Sequence, residues 1–318
     1  MTAGRRWALL AAAAVLIGSA GGFVRSSYVL GMLIFIALNG MAALGLSLVM
    51  GFAGQVSLGQ AAFYAIGAYV SGVLTASYGW NGWLSVAVAV LAGAAAAFLV
   101  GLPVFRLSGL LLAMATLGFG IIVYYILVNW SAVTGGPSGL TGIPPLAVGG
   151  FRFDTDARML WLAWGCLLAV LGLAGNVVDS RIGRALRALR GSPAAAEAAG
   201  IATTRLKLGV FAVAGATTAL AGALYAHYLT FINPSPFGFA FSVELVVMVV
   251  LGGTASLWGG VLGAAVVVLL AEGIRALLPL LSASHAGAEY EIVVFGLVLM
   301  LFMILLPGGL AGLARRAA

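Results

Sequence analysis

Long apolar runs separated by short polar or glycine-rich breaks make up most of the chain, and their lengths set the first expectation. Runs long enough to cross a bilayer as helices fall at residues 7–23, 29–50, 60–77, 84–102, 110–130, 159–175, 208–231, 257–278 and 290–306. A further run, 241–251, is too short alone and needs its glycine-rich continuation, 252–256, to reach the far side. The pattern predicts an all-α fold: a polytopic transmembrane helical bundle of about ten spans, organised as one transmembrane domain over 1–318. The first run follows Arg5 and Arg6 and ends in small residues, Gly18 to Gly22, so it suits either a retained first span or a cleaved secretory signal.

Composition agrees with lipid as the solvent. Of 318 residues, 63% are apolar and 7% charged, and a water-soluble domain of this size needs roughly a quarter of its residues charged. The net charge of +7 does not point to nucleic acid, because the basic residues lie between apolar runs rather than in one patch. Topology accounts for them better. Arg5, Arg6, Arg106, Arg181, Arg184, Arg187, Arg190, Arg205, Lys207, Arg315 and Arg316 fall on one side of the predicted bundle, which predicts that both termini are cytoplasmic. Arg25, Arg152 and Arg158 fall on the other side, and Arg275 sits one turn after Glu272, with which it can pair. Cys166 stands alone in an apolar run, as a small buried thiol.

Two loops are long. Residues 131–158 form an extracytoplasmic loop carrying Asp154 and Asp156 between Arg152 and Arg158, a wetted stretch with no third ligand for a metal and no catalytic partner. Residues 176–207 form a cytoplasmic loop that divides in two. From Arg181 to Arg190, arginine recurs every third residue and Ile182, Ala185, Leu186 and Leu189 turn to another face, the pattern of an amphipathic helix. Ser192 then provides an N-cap, Pro193 the first helical position and Gly200 the stop. The enclosed helix, Ala194 to Ala199, carries methyl side chains apart from Glu197, so a partner's groove can approach its backbone closely. The competing reading lays the arginines on anionic lipid head groups.

No phosphate-cradling Gly-x-x-x-x-Gly-Lys sequence occurs, and Lys207 is the single lysine. No nucleophile, metal or cofactor constellation forms either, so the chain is not expected to be an enzyme. Within the spans the charged residues are Glu244, Glu272 and Arg275, with His227 as the one imidazole; Glu244 and His227 lie near a predicted outer end, which suits a snorkelling or interfacial role.

The residues of the cytoplasmic loop resemble a known family. Gly183-Arg184-Ala185, Arg190, Glu197-Ala198-Ala199-Gly200-Ile201 and Lys207 look like the coupling loop of ABC-importer permeases of the LivM-type branched-chain amino acid class. The resemblance extends through Gly51 to Gln60 with Gly67-Ala68-Tyr69, through Arg106-Leu107 with Thr116 to Gly120, and through Thr134-Gly135-Gly136 with Gly139 to Pro144. It continues through Leu251-Gly252-Gly253 to Gly263-Ala264 and ends at Pro307 to Leu310. It departs at Ile121, Val123 and Tyr124, where many relatives carry an acid and an arginine, and at Ala255 and Gly260, where they often have Gly and Pro.

The resemblance implies a permease subunit in a bacterial inner membrane. It implies a homologous permease partner, two cytoplasmic ATPase subunits and an extracytoplasmic solute-binding protein. Arg184, Arg190, Pro193, Glu197, Ala198, Ala199 and Gly200 become the candidate ATPase-coupling residues, with Glu197 the first to test. The solute it implies is a branched-chain amino acid, urea or another small polar solute. An ion-coupled secondary transporter is the rival, weakened by the lack of a convincing mid-span acid or histidine.

Glycines in a span permit either close helix packing or an unwound backbone beside a cavity. Two stretches suit the second case, 51–60 and 252–263. They make Gln55, Ser57, Gln60, Thr254 and Ser256 candidates for the translocation pathway.

Overall fold

The structure is a computed structural model that describes residues 26–254 and 256–281, together with 296, 297, 300, 304, 309, 310 and 312. The predicted spans at 7–23 and 290–306 lie outside the described residues apart from 296, 297, 300 and 304, as do both termini and Ala255. Each of the other predicted spans is a helix. In chain order these are α1 (Ser27–Ser47), α2 (Gln60–Ala76), α3 (Gly82–Val104) and α4 (Leu110–Asn129). After a single turn, α5 (Ser131–Thr134), come α6 (Asp156–Asp179), α7 (Arg181–Gly191), α8 (Pro193–Ala198), α9 (Thr203–Leu229), α10 (Phe239–Gly252) and α11 (Leu257–Leu281). Among the described residues six helical stretches are long and apolar enough to cross a membrane. The chain is therefore a multi-pass, all-α membrane protein.

The bundle is built around α1 and α9, the two most enclosed of these stretches. Small residues set how closely their neighbours approach. A Cβ on Gly67 of α2 would stand 2.0 Å from the carbonyl oxygen of Ala219, and one on Gly222 of α9 would stand 1.9 Å from that of Tyr64. The two backbones touch, and only hydrogen fits between them. With no water-driven hydrophobic force inside a bilayer, such close packing is what holds helices together. Elsewhere the helices turn large apolar side chains outward, among them Leu91, Leu99, Leu110 and Leu173, as a lipid-facing surface requires.

Two spans are interrupted. α1 ends in a π-helical turn, Leu48–Phe52, and the chain stays non-helical until Gln60 opens α2. α10 has 14 residues, a rise of about 21 Å against a hydrocarbon core of about 30 Å. The run does not continue as a helix into its glycine-rich part: Gly253, at φ 101°, ends α10, and α11 opens at Leu257 in a reversal that packs it against α10. Gly252 and Gly263 make that reversal tight, since a Cβ on either would lie 1.7 Å from a carbonyl oxygen of the facing helix. The starts of α2 and α10 meet inside the bundle, where the Ala61 amide donates to the buried Ser242 hydroxyl at 3.1 Å.

Polar segments gather at two ends. At one, β1 (Leu140–Thr141) pairs antiparallel with β4 (Phe231–Ile232), β2 (Ala147–Val148) pairs with β3 (Phe151–Arg152), and Tyr28 meets Glu272. Asp154 of the predicted wetted loop pairs with Arg158 at 2.9 Å, both side chains well exposed. At the other end the 48–59 segment, α7 and the α10–α11 turn converge.

Candidate functional site

That second end holds the two helices expected in the 176–207 loop. A Cβ on Gly183 would lie 1.9 Å from the Val178 carbonyl oxygen, so the α6–α7 corner closes only over hydrogen. The Ser180 side chain caps α7 at the Ile182 amide, and Ser192 caps α8 at the Ala195 amide, with Pro193 in the first turn as expected. Leu186 and Leu189 are buried among Leu48, Val49, Phe52 and Val178, so α7 packs on the end of the bundle, while Ile182 is left exposed.

The arginine series divides. Arg181 and Arg184 face solvent, whereas Arg187 donates to the Val178 carbonyl at 3.0 Å and Arg190 donates to the carbonyl of Gly51. The Arg190 Cγ also lies 3.2 Å from where a Cβ on Gly54 would stand, and Gly54 is at φ 67°. The spacing of arginines is visible in sequence, but this contact across 139 residues carries no local signal. It fastens the loop to the interrupted α1–α2 connection. A bond from a guanidinium is roughly twice as strong as one between neutral groups.

α8 stands out as a knob. Pro193, Ala194, Ala195, Glu197, Ala198, Ala199 and Gly200 are exposed, and Ala196 alone faces inward. Glu197 is not simply presented outward: its Oε1 accepts the Thr203 hydroxyl at 2.5 Å, clamping α8 to the first turn of α9. Gly200, at φ 79°, supplies the left-handed step that allows the chain to leave α8.

The predicted pathway residues come together in part. Gly51 abuts the Thr254 carbonyl so closely that a Cβ would stand 1.7 Å from it, which joins the two glycine-rich segments. Gln55 is half-buried, with its amide folded onto the Ala53 carbonyl at 3.2 Å, and Val56 beside it is exposed. Ser57 is buried and receives the Gly59 amide at 3.4 Å, while Ser256 receives the Gly259 amide at 3.3 Å. Gln60 is fully enclosed: its Oε1 accepts from Thr218 at 3.0 Å and its Nε2 is without a partner among the described residues. Thr116 on α4 holds this stretch by accepting the Leu58 amide at 3.0 Å.

His227 and Glu244, expected near an outer end, do not extend freely into solvent. His227 is buried, with Nδ1 2.7 Å from the Pro144 carbonyl, to which it must donate, and Nε2 2.8 Å from the Ser71 hydroxyl. It ties α9 to α2 and to the loop after α5. Glu244 is half-buried and faces a cleft rather than snorkelling.

Comparison with known proteins bears on what this arrangement serves. Residues 28–303 match the family described as branched-chain amino acid transport system / permease component. The chain is 36% identical over 295 residues to the high-affinity branched-chain amino acid transport system permease protein LivM of Salmonella typhimurium, covering 86% of this chain and 67% of that protein. The LivM protein of Escherichia coli is 35% identical over the same length. The Escherichia coli permease protein LivH is 27% identical over 294 residues, which cover 90% of it. No solved structure matches the chain. The chain belongs to the branched-chain amino acid transport system permease family.

Proposed function

We propose that this chain forms part of the translocation pathway for branched-chain amino acids or a related small polar solute, in a bacterial inner membrane, driven by ATPase subunits that grip α8. The observation that carries the reading is the Arg190 guanidinium on the Gly51 carbonyl, because it joins the loop that bears a partner-accessible knob to the π-helical end of α1, where the chain leaves the helix. Residues 176–207 then act as a cytoplasmic coupling loop within a single domain spanning 1–318. Residues 131–158 lie on the opposite, extracytoplasmic side, where a solute-binding protein delivers its cargo. Both termini are cytoplasmic under this orientation, with about ten spans in all.

Arg184, Pro193, Ala198, Ala199 and Gly200 present the docking face, Glu197 holds that face in place through Thr203, and Arg190 passes its displacement on. Gln55, Ser57, Gln60, Thr254 and Ser256 belong to the moving, non-helical part that borders the pathway. The similarity to both LivM and LivH supports pairing with a second, homologous permease subunit, and two ATPases would serve the pair.

Co-purification tests this directly. The chain should bring down an ATPase, and Ala198→Trp, which fills the exposed face of α8, should abolish that association with the helix content of the chain unchanged. Glu197→Arg should also abolish it, whereas Thr203→Val, which cuts only the internal clamp, should weaken it less. Solute uptake that persists without any ATPase would sink the reading.

A further inference from the structure

At the end of the bundle that carries Ser27, an open cleft of about 380 Å³ lies between α1, α10 and α11. That volume is in the range of sites for small solutes. α1 lines it with a single stripe, Tyr28, Met32, Phe35 and Asn39, whose spacing of three or four residues keeps them on one face. Asn39 is eleven residues from Tyr28, so the stripe descends about 17 Å into the bundle. α11 contributes Val268, Glu272 and Arg275 by the same periodicity, and α10 contributes Glu244.

The charges near the mouth answer one another. The Tyr28 hydroxyl donates to Glu272 Oε2 at 2.6 Å, and Arg275 Nη1 donates to Glu272 Oε1 at 3.1 Å. Glu244 and Asn39 are different. Both are half-buried, and among the described residues neither side chain has a hydrogen-bond or ion-pair partner. Among the described residues the lining holds two carboxylates and one guanidinium, and a half-buried carboxylate in a membrane span is costly unless a cation or donors meet it.

We propose that this cleft binds the primary ammonium group of a zwitterionic molecule. The ammonium has three donors and no acceptor, which suits one carboxylate oxygen of Glu244 together with the amide oxygen of Asn39. The anionic group of the same molecule lies toward Arg275, and its aliphatic part lies on Met32, Phe35 and Val268. A free α-amino acid meets this description and so does the head group of an aminophospholipid. The first source rests on the amino-acid reading above; the second does not.

The test uses the full chain, purified with the subunits it brings, in nanodiscs of phosphatidylcholine alone and of phosphatidylcholine with phosphatidylethanolamine. L-leucine binding is measured by scintillation proximity, with 2-hydroxyisocaproate, which lacks the ammonium, as competitor. Native mass spectrometry counts retained phosphatidylethanolamine. Glu244→Gln should weaken whichever ligand is held by about tenfold or more, the equivalent of one charge-assisted hydrogen bond. Glu244→Asp should recover part of the loss, and 2-hydroxyisocaproate should not compete. Leucine binding that depends on Glu244 assigns the site to solute, and Glu244-dependent lipid retention without leucine binding assigns it to lipid; either supports the proposal. Leucine binding and lipid retention both indifferent to a well-folded Glu244→Gln would overturn it. ATPase association unchanged alongside that result would leave the coupling reading intact, since α8 lies at the opposite end.

Discussion

Replacing Arg190 with alanine separates holding an ATPase from being moved by it. Arg190 lies on α7, three residues before α8 opens at Pro193, and its guanidinium turns to the Gly51 carbonyl. A hydrogen bond to a charged group contributes about 1.5–3 kcal/mol, and because the arginine remains largely exposed the lower part of that range applies. About 1.4 kcal/mol is a factor of ten in an equilibrium, so the arrangement in which α7 and the interrupted segment move together should become about tenfold less populated. In proteoliposomes containing the ATPase and the binding protein, Arg190→Ala should hydrolyse ATP at a near-normal rate. The solute moved per ATP should fall about tenfold. Arg190→Lys keeps a charge and one donor but loses the planar fork, so it should fall between the two. A wild-type ratio of solute to ATP in Arg190→Ala would refute the linkage. Loss of ATPase binding in the same variant would mean that Arg190 contacts the partner instead.

Four further outcomes follow from the packing and the buried hydrogen bonds. Gly222→Ala would place a Cβ 1.9 Å from the Tyr64 carbonyl and should destabilise the protein by about 1–3 kcal/mol, read as a lowered midpoint in a detergent thermal-shift assay. Gly183→Ala meets the Val178 carbonyl at the same 1.9 Å at a buried corner; it should lower the thermal midpoint as well and, because it displaces α7, weaken ATPase co-purification, which Gly222→Ala should not. His227→Leu removes the imidazole's bonds to the Pro144 carbonyl and the Ser71 hydroxyl, but Ser71 keeps Ser85 at 2.9 Å and Pro144 is exposed to solvent, so the cost in the same thermal assay should be about 1–3 kcal/mol, two hydrogen bonds at about 0.5–1.5 kcal/mol each. Gln60→Ala should lower uptake without lowering assembly with the ATPase; unchanged uptake would remove Gln60 from the pathway.

Helices were legible wherever an apolar run had both length and clear ends, as for α3, α4 and α6, because in lipid a long run has no other way to satisfy its backbone. The α8 cap was legible for a similar reason: Ser192, Pro193 and Gly200 each act on the chain next to them. The glycine runs were ambiguous. The same residues allow a helix to be extended, unwound or folded back, and which occurs at 252–256 depends on Gly259 and Gly263 facing α10, a tertiary fact. Glu197 and His227 show the limit from the side-chain direction. Each was read from its position along a span or loop, while its role is set by a partner, Thr203 in one case and Pro144 in the other, that the linear pattern does not mark.

The attachment of Arg190 to the π-helical end of α1, just before a non-helical segment, has a mechanical reason. A helix carries a hydrogen bond from nearly every amide to the carbonyl four residues back, so displacing part of it breaks several bonds together. The segment from Ala53 to Gly59 is held differently. Ala53 and Gln55 reach back to Leu48 and Val49, Leu58 is held by Thr116, and Gly59 is held by Ser57. Its displacement therefore disturbs only isolated bonds, and it ends at Gln60, the first residue of α2, on the glycine-packed α2–α9 pair. A pull at α7 would be spent on the soft connection before it reached that rigid pair. The connection can then shift while the core keeps its register, which a subunit driven from outside the membrane requires.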